Sequence, residues 1–306
     1  MRIIIPVIVA FLLPASGCVS ANQTPAPRNP EPVSFETKSG IKVHVVQTGW
    51  ISVKEHFREL SGPAMLRVPS IVLDSDWTEW MPIQFYVIEH PDGIAVFDTG
   101  ETAKVHEPGY FNCRPGNEWF YRNQLKFAVN SEDELGPQLK LLGLDAKNVR
   151  WAILSHLHSD HMGGMYHLKN AQFYISANDW LGHQGDMRCQ IPIWVEPTLV
   201  DYRHGEFGAF AESQTIDEQG TLRVVPTPGH TEGHQSLISF DRDTYYFFAG
   251  DVVFDLERLN NRKAVAGIAE NISAAKASIK RVTTQLEEFD TILAPAHDRG
   301  VRENRF

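Results

Sequence analysis

His156-Leu157-His158-Ser159-Asp160-His161 places four metal-capable side chains within six positions, directly after the apolar run Trp151-Ala152-Ile153-Leu154-Ser155 that reads as a buried strand. Neutral imidazole nitrogen and carboxylate oxygen are the ligands that a divalent cation of zinc type takes. His156 and His158 are two apart, so on an extended segment both point to one side. Asp160 and His161 follow where Met162-Gly163-Gly164 lets the chain turn into a helix, which aims them toward a second position. One short loop thereby feeds two neighbouring metals. Satisfied polar residues on a surface loop would account for a single His, but not for four ligands in this register behind a strand.

A two-metal site needs further ligands at the ends of later strands, and three strands supply them. Thr227-Pro228-Gly229-His230 follows Val224-Val225, Ala249-Gly250-Asp251 follows Tyr245 to Phe248, and Pro295-Ala296-His297 follows Ile292-Leu293. Each stands beside Gly or Pro, where backbone can approach a site closely.

Composition narrows the partners. The 306 residues are 42% hydrophobic, enough for one large or two small globular domains. A formal charge of -10 with no Lys/Arg cluster argues against nucleic acid, which needs a basic face. Met1-Arg2 followed by Ile3 to Leu13 has the charged start and short apolar core of a secretory signal, too brief to span a bilayer. Ala15-Ser16-Gly17-Cys18 resembles the lipobox of bacterial lipoproteins, which predicts a signal over 1–17, acylation of Cys18 and a lipid-anchored periplasmic protein. Val19-Ser20-Ala21 offers a competing cleavage site that would leave the protein soluble. Cys113 and Cys189 are too few for a disulfide scaffold, and whether they pair stays open at this point.

Residues 18–40 are polar and Pro-rich, the composition of an extended tether. From residue 41 to 306 short strands and helices alternate, which predicts one α/β domain. Strands are expected over 41–46, 84–89 and 94–97, the last two joined by the turn His90-Pro91-Asp92-Gly93. Residues 101–130 are rich in aromatics and poorly periodic, suited to lining or lidding a pocket or simply to packing. Ser131 reads as the N-cap of a helix over 132–143, with acidic residues in its first turn. Later strands are expected over 172–176, 221–226, 236–240, 245–249 and 291–294, a helical turn over 177–183, and a helix over 271–288.

The pattern His-x-His-x-Asp-His, Gly-His-x-x-Gly-His, Gly-Asp and a late His resembles the metallo-β-lactamase superfamily over roughly residues 41–300. That resemblance implies an αβ/βα sandwich, two packed mixed sheets flanked by helices. It also implies one metal on His156, His158 and His230, a second on Asp160, His161 and His297, and Asp251 bridging both. Phe97-Asp98-Thr99-Gly100 matches an early family motif whose Asp supports the site, and His234 reads as a neighbour of the ligands. The cofactors implied are two divalent ions; nitrogen and oxygen ligands favour zinc, with iron, cobalt or manganese compatible. Such a pair generates hydroxide near neutral pH for attack on a carbonyl, with Asp160 placed to pass a proton to the leaving oxygen.

Within the superfamily, the segments Ile153 to Gly164 and Thr227 to Leu237 closely resemble N-acyl homoserine lactonases, and Trp80-Met81-Pro82-Ile83 is similar to theirs. The expected reaction is lactone-ring opening, a quorum-quenching activity on a small molecule; dimers are common among these enzymes, so a homodimer is an expected state. Zinc β-lactamases carry a Cys where this chain has Asp251, and redox di-iron relatives a Glu where His158 stands. Trp80, Met81, Phe111 and Phe254 are candidates for the substrate pocket. One departure stands out: many lactonases have Tyr three residues after the bridging Asp, and here that position is Phe254. Hydrolysis of another ester, lactone, thioester or β-lactam therefore remains the alternative, with a non-catalytic metal-binding lipoprotein behind it.

Overall fold

The computed structural model describes residues 25–59, 64–182 and 187–303. The apolar leader, Cys18 and the first part of the Pro-rich stretch lie outside the described residues, as does His183. Among the described residues thirteen strands form two sheets. The first contains β1 Val33–Glu36, β2 Lys42–Val53, β3 Met81–His90, β4 Gly93–Phe97, β5 Leu125–Ala128, β6 Val149–Ile153, β7 Gln172–Ser176 and β8 Thr198–Val200. Its order is β1-β2-β3-β4-β6-β7-β8, with β5 on β2; β4, β6, β7 and β8 run parallel. The second runs β13-β12-β11-β10-β9, from β9 Gln214–Thr215, β10 Leu222–Pro226, β11 Gln235–Asp241, β12 Thr244–Gly250 and β13 Thr291–Pro295.

Both faces of each sheet are covered, so central strands are apolar on both sides and the period of two sorts residues between layers. On β3, Phe85 and Val87 enter the outer core while Tyr86 and Ile88 enter the layer between the sheets. On β12, Tyr246 and Phe248 face the first sheet, and Phe247 meets Val282 and Leu293 in the third cluster. The Tyr86 and Phe248 rings, 4.8 Å apart, tie the sheets together, and full burial of such a side chain stabilises by about 1.5–3 kcal/mol. This is the αβ/βα sandwich.

Several local expectations change. The strand β1 lies within the stretch read as a tether, because Val33 and Phe35 alternate toward the inter-sheet core and pair with β2. The sheet therefore begins before residue 41. Residues 131–143 split into the 3-10 turn Ser131–Asp133 and the helix Leu135–Leu141. Glu134 breaks them because its carboxylate is held elsewhere, accepting from the Thr102 hydroxyl and the Ala103 N–H. The aromatic stretch holds unforeseen elements, among them the helix Asn117–Gln124 and β5. Hydrogen bonding to β2 makes β5 a strand, a long-range pairing invisible to periodicity. Among the described residues no helix is long and apolar enough to cross a membrane.

Cys113 and Cys189 form a disulfide, with Cα atoms 5.4 Å apart and 76 positions between them in sequence. The bond fastens the aromatic stretch to the segment that follows the helix Ala177–Leu181. By restricting the unfolded chain, a loop of this length is expected to contribute about 2–4 kcal/mol. Urea unfolding with and without reductant, and of Cys189→Ser, checks this; unchanged midpoints would refute it.

Candidate metal centre and substrate pocket

The seven residues with ligand chemistry converge where strands of both sheets end. The short helix Ser159–Met162 follows β6, and His158 stands just before it in extended conformation. Three ring nitrogens meet first: His156 Nε2 is 2.8 Å from His158 Nδ1, and His230 Nε2 is 3.0 Å from the same atom. Asp160, His161 and His297 form a second group, with donor atoms within 4.8 Å of one another. Asp251 spans the two groups. Its Oδ2 is 3.4 Å from His230 Nε2, and its Oδ1 is 3.3 Å from His161 Nε2 and 3.2 Å from His297 Nε2.

Tight backbone brings the donors in. Gly229 has φ +136 and lies so close to Ala275 that a Cβ would meet its backbone nitrogen at 2.2 Å, so only Gly lets the His230 loop sit on the helix Ile272–Glu288. Gly250 (φ +58) plays the same part before Asp251, with Ser155 and His234 packed against it.

Neighbouring polar groups set the rings' tautomers. Asp98 accepts from the Ser155 N–H at 2.7 Å and the Ser155 hydroxyl at 2.9 Å, and His161 Nδ1 lies 2.8 Å from its Oδ2. His161 Nδ1 therefore carries the proton and Nε2 faces the centre. Because the Ser155 hydroxyl donates to Asp98, it accepts from His156 Nδ1 at 2.9 Å, which leaves His156 Nε2 with its lone pair inward. His297 Nδ1 donates to the Pro82 carbonyl at 2.8 Å, again leaving Nε2 inward. Both nitrogens of His234 are committed: Nε2 accepts from the Asp251 N–H at 2.9 Å, and Nδ1 donates to Thr227. A carboxylate or hydroxyl behind an imidazole fixes its orientation and raises its basicity. Ser155 is the member of this shell that no motif announced.

Charge follows from the same geometry. Burial, reinforced by neighbouring imidazoles, pushes His156 and His230 well below the ordinary histidine range, so both are neutral ligands. At His161 and His297 burial acts in the same sense, but nearby carboxylates, Asp251 foremost, outweigh it and hold both rings up. Burial raises Asp251, yet the His161 and His297 rings outweigh that and hold it well below the usual carboxylate range. His161 Nε2 and Asp251 Oδ1 are buried without a hydrogen-bond partner among the described residues. Unsatisfied buried atoms cost about 1–3 kcal/mol each. Converging lone pairs and orphaned atoms fit divalent cations.

A cavity of about 210 Å³ opens onto His158, Asp160, His230, Asp251 and His297. Its walls are largely apolar, with Ile51, Val53, Phe57, Phe120, Leu125 and Ile268 among them, and it includes Met81 and Phe254. Two expected pocket residues are elsewhere. Phe111 is fully buried behind the wall, stacked on Tyr121 at 4.6 Å, because the helix Asn117–Gln124 interposes Tyr121. Trp80 does not reach the cavity; it precedes Met81 on an extended segment and so points the opposite way, while its carbonyl accepts from Arg299. Arg67, Asn117 and Glu270 line the cavity and carried no sequence signal beyond their type. Burial pushes Glu270 up to about 7, opposed by the Glu232 N–H that it accepts.

The metallo-beta-lactamase superfamily model matches residues 78–297. The chain belongs to that superfamily. Among its curated relatives, an N-acyl homoserine lactonase AttM of Agrobacterium fabrum is 26% identical over 230 residues, covering 71% of this chain and 82% of the relative. An N-acyl homoserine lactonase of a Bacillus species is 27% identical over the same shares. Among solved structures, an N-acyl homoserine lactone hydrolase with N-hexanoyl-L-homoserine bound at its catalytic metal centre superposes with a TM-score of 0.67. It is 19% identical, covers 85% of this chain and 94% of its own, and so speaks to the fold alone. The superfamily relatives are metal-dependent hydrolases, and this chain carries the donor set of one.

Proposed function

We propose that the protein opens lactone rings, N-acyl homoserine lactones foremost, at a two-cation centre held by His156, His158, His230, Asp251, Asp160, His161 and His297. The observation that carries this reading is the convergence of these donors at the floor of a mainly apolar cavity. Similarity to lactonases in sequence supports the substrate class. Divalent cations there, zinc by preference, would polarise a substrate carbonyl and make hydroxide available near neutral pH.

The chain's own groups do the rest. Asp98, Ser155 and the Pro82 carbonyl hold His161, His156 and His297 in one tautomer, so no ring must turn when substrate enters. Asp160 Oδ2, 3.7 Å from His297 Nε2, faces the cavity, where it takes the proton released by the attacking water and passes it to the leaving ring oxygen. The apolar walls exclude water and receive an acyl chain. Phe254, whose ring meets those of His230 and His297 edge-on at 5.7 and 5.4 Å, adds shape but no hydrogen bond. That substitution favours, as a second reading, an ester or lactone that needs no phenol beside its carbonyl.

Incubating the metal-loaded protein with short- and long-chain N-acyl homoserine lactones, an aryl ester and a chromogenic cephalosporin, with proton release as readout, separates the readings. Ring opening of the lactones is expected to exceed turnover of the others. Turnover of the ester or cephalosporin without ring opening would replace the substrate, and no turnover of any would remove the enzyme.

A further inference from the structure

Glu270 is the anionic side chain of the cavity that belongs to neither ligand group. It is strapped to the loop carrying His230: its N–H donates to the His230 carbonyl at 3.1 Å, and the next residue, Asn271, donates from its N–H to the Gly229 carbonyl at 3.0 Å. The carboxylate is held as well, Oε2 accepting from the Glu232 N–H at 2.8 Å. For Oε1 the structure contains no hydrogen-bond partner among the described residues. Arg67, the cation of the same wall, does not pair with this carboxylate through a hydrogen bond; its guanidinium donates to the Ala269 and Glu270 carbonyls instead. In its ionised form this carboxylate is a held acceptor in a wall that is mainly apolar apart from Arg67 and Asn117, on the segment bonded to the His230 loop.

In the open cavity water can satisfy this oxygen, and a substrate that displaces the water must replace it with a donor or leave the oxygen unpaired. In an N-acylated lactone the amide nitrogen sits on the carbon next to the ring carbonyl, two bonds from the carbon under attack. With that carbonyl against the donor atoms, the amide N–H would face the walls of the same cavity, to which Glu270 contributes its carboxyl group. We infer that Glu270 selects substrates bearing an N–H donor beside the scissile carbonyl, by accepting that hydrogen bond through its free oxygen. The inference rests on the proposed hydrolysis of lactones and says which lactones the cavity prefers. It makes Glu270 a specificity residue that touches substrate, and Arg67 a positioning residue that holds the backbone beneath it.

The test compares an N-acyl homoserine lactone with a lactone of equal chain length in which a methylene replaces the amide nitrogen. Wild type is expected to favour the amide substrate in kcat/KM. In Glu270→Gln the side-chain oxygen can still accept from Glu232, which preserves the loop, but the amide NH2 then presents donors to the cavity. The selectivity ratio is expected to fall about tenfold in this variant and in Glu270→Ala, the scale of one hydrogen bond to a charged group. Metal content, measured alongside, separates loss of recognition from loss of the centre. A ratio within twofold of wild type in Glu270→Gln, or a wild type indifferent to the amide, overturns the inference while leaving lactone hydrolysis standing. Failure of wild type to open either lactone overturns the functional reading itself.

Discussion

Replacement of Asp251 by Ala is expected to lower kcat/KM by at least ~10³-fold, the loss of several kcal/mol of charge stabilisation at the reacting carbonyl. Asp251 spans both groups of donors, with one oxygen beside His230 and the other beside His161 and His297. Stability should fall too. Removing the carboxylate leaves the His161 and His297 rings without the charge that outweighs their burial, and truncating one member of a buried ion pair costs about 3–5 kcal/mol. The backbone N–H to His234 survives the substitution, so the loop has a reason to stay in place. Asp251→Asn, nearly the same shape without the charge, should lose activity as deeply while keeping more of the fold. Steady-state kinetics, metal analysis and urea unfolding give the three readouts. Activity within tenfold of wild type in Asp251→Ala would show that the bridging position is dispensable.

Removal of metal by a strong chelator is expected to abolish turnover and to lower stability by about 4 kcal/mol relative to protein in cation at a thousand times its dissociation constant. For a chain of this size that corresponds to a fall of roughly 6 °C in Tm. The cause is electrostatic: neutral His156 and His230 rings crowd inward-facing nitrogens with little to accept, and His161 Nε2 and Asp251 Oδ1 lie buried without partners. Cations satisfy these atoms together. Zinc should restore both activity and melting temperature, and comparison with cobalt, manganese and iron identifies the preferred ion. A chelated, metal-free protein with unchanged melting and turnover would refute a structural and catalytic metal centre.

Expectations from sequence succeeded or failed according to the range of the interactions behind them. The loop from His156 to His161 was legible because ligand chemistry and strand-loop context are both local. The helix Ile272–Glu288 was legible because its apolar spacing repeats, and the side chain of Asn271 caps it by accepting from the Ala274 N–H. The strand β5 was not, since four residues of mixed character become a strand only by pairing with β2. Ser131 looked like a cap, but the chain did not enter the longer helix there because Glu134 had partners across the fold.

The candidate site divides in the same way. Donor identities, their order along the chain and the glycines that let them approach are properties of short segments, and the chain alone carries them. Which ring nitrogen faces inward depends on Asp98, Ser155 and Pro82 arriving from separate strands and loops. Phe111 and Trp80 left the pocket, and Glu270 and Arg67 entered it, because cavity walls are assembled from segments as far apart as Ile51 and His297. Local chemistry specifies a reactive centre; only packing between distant segments determines what that centre is allowed to touch.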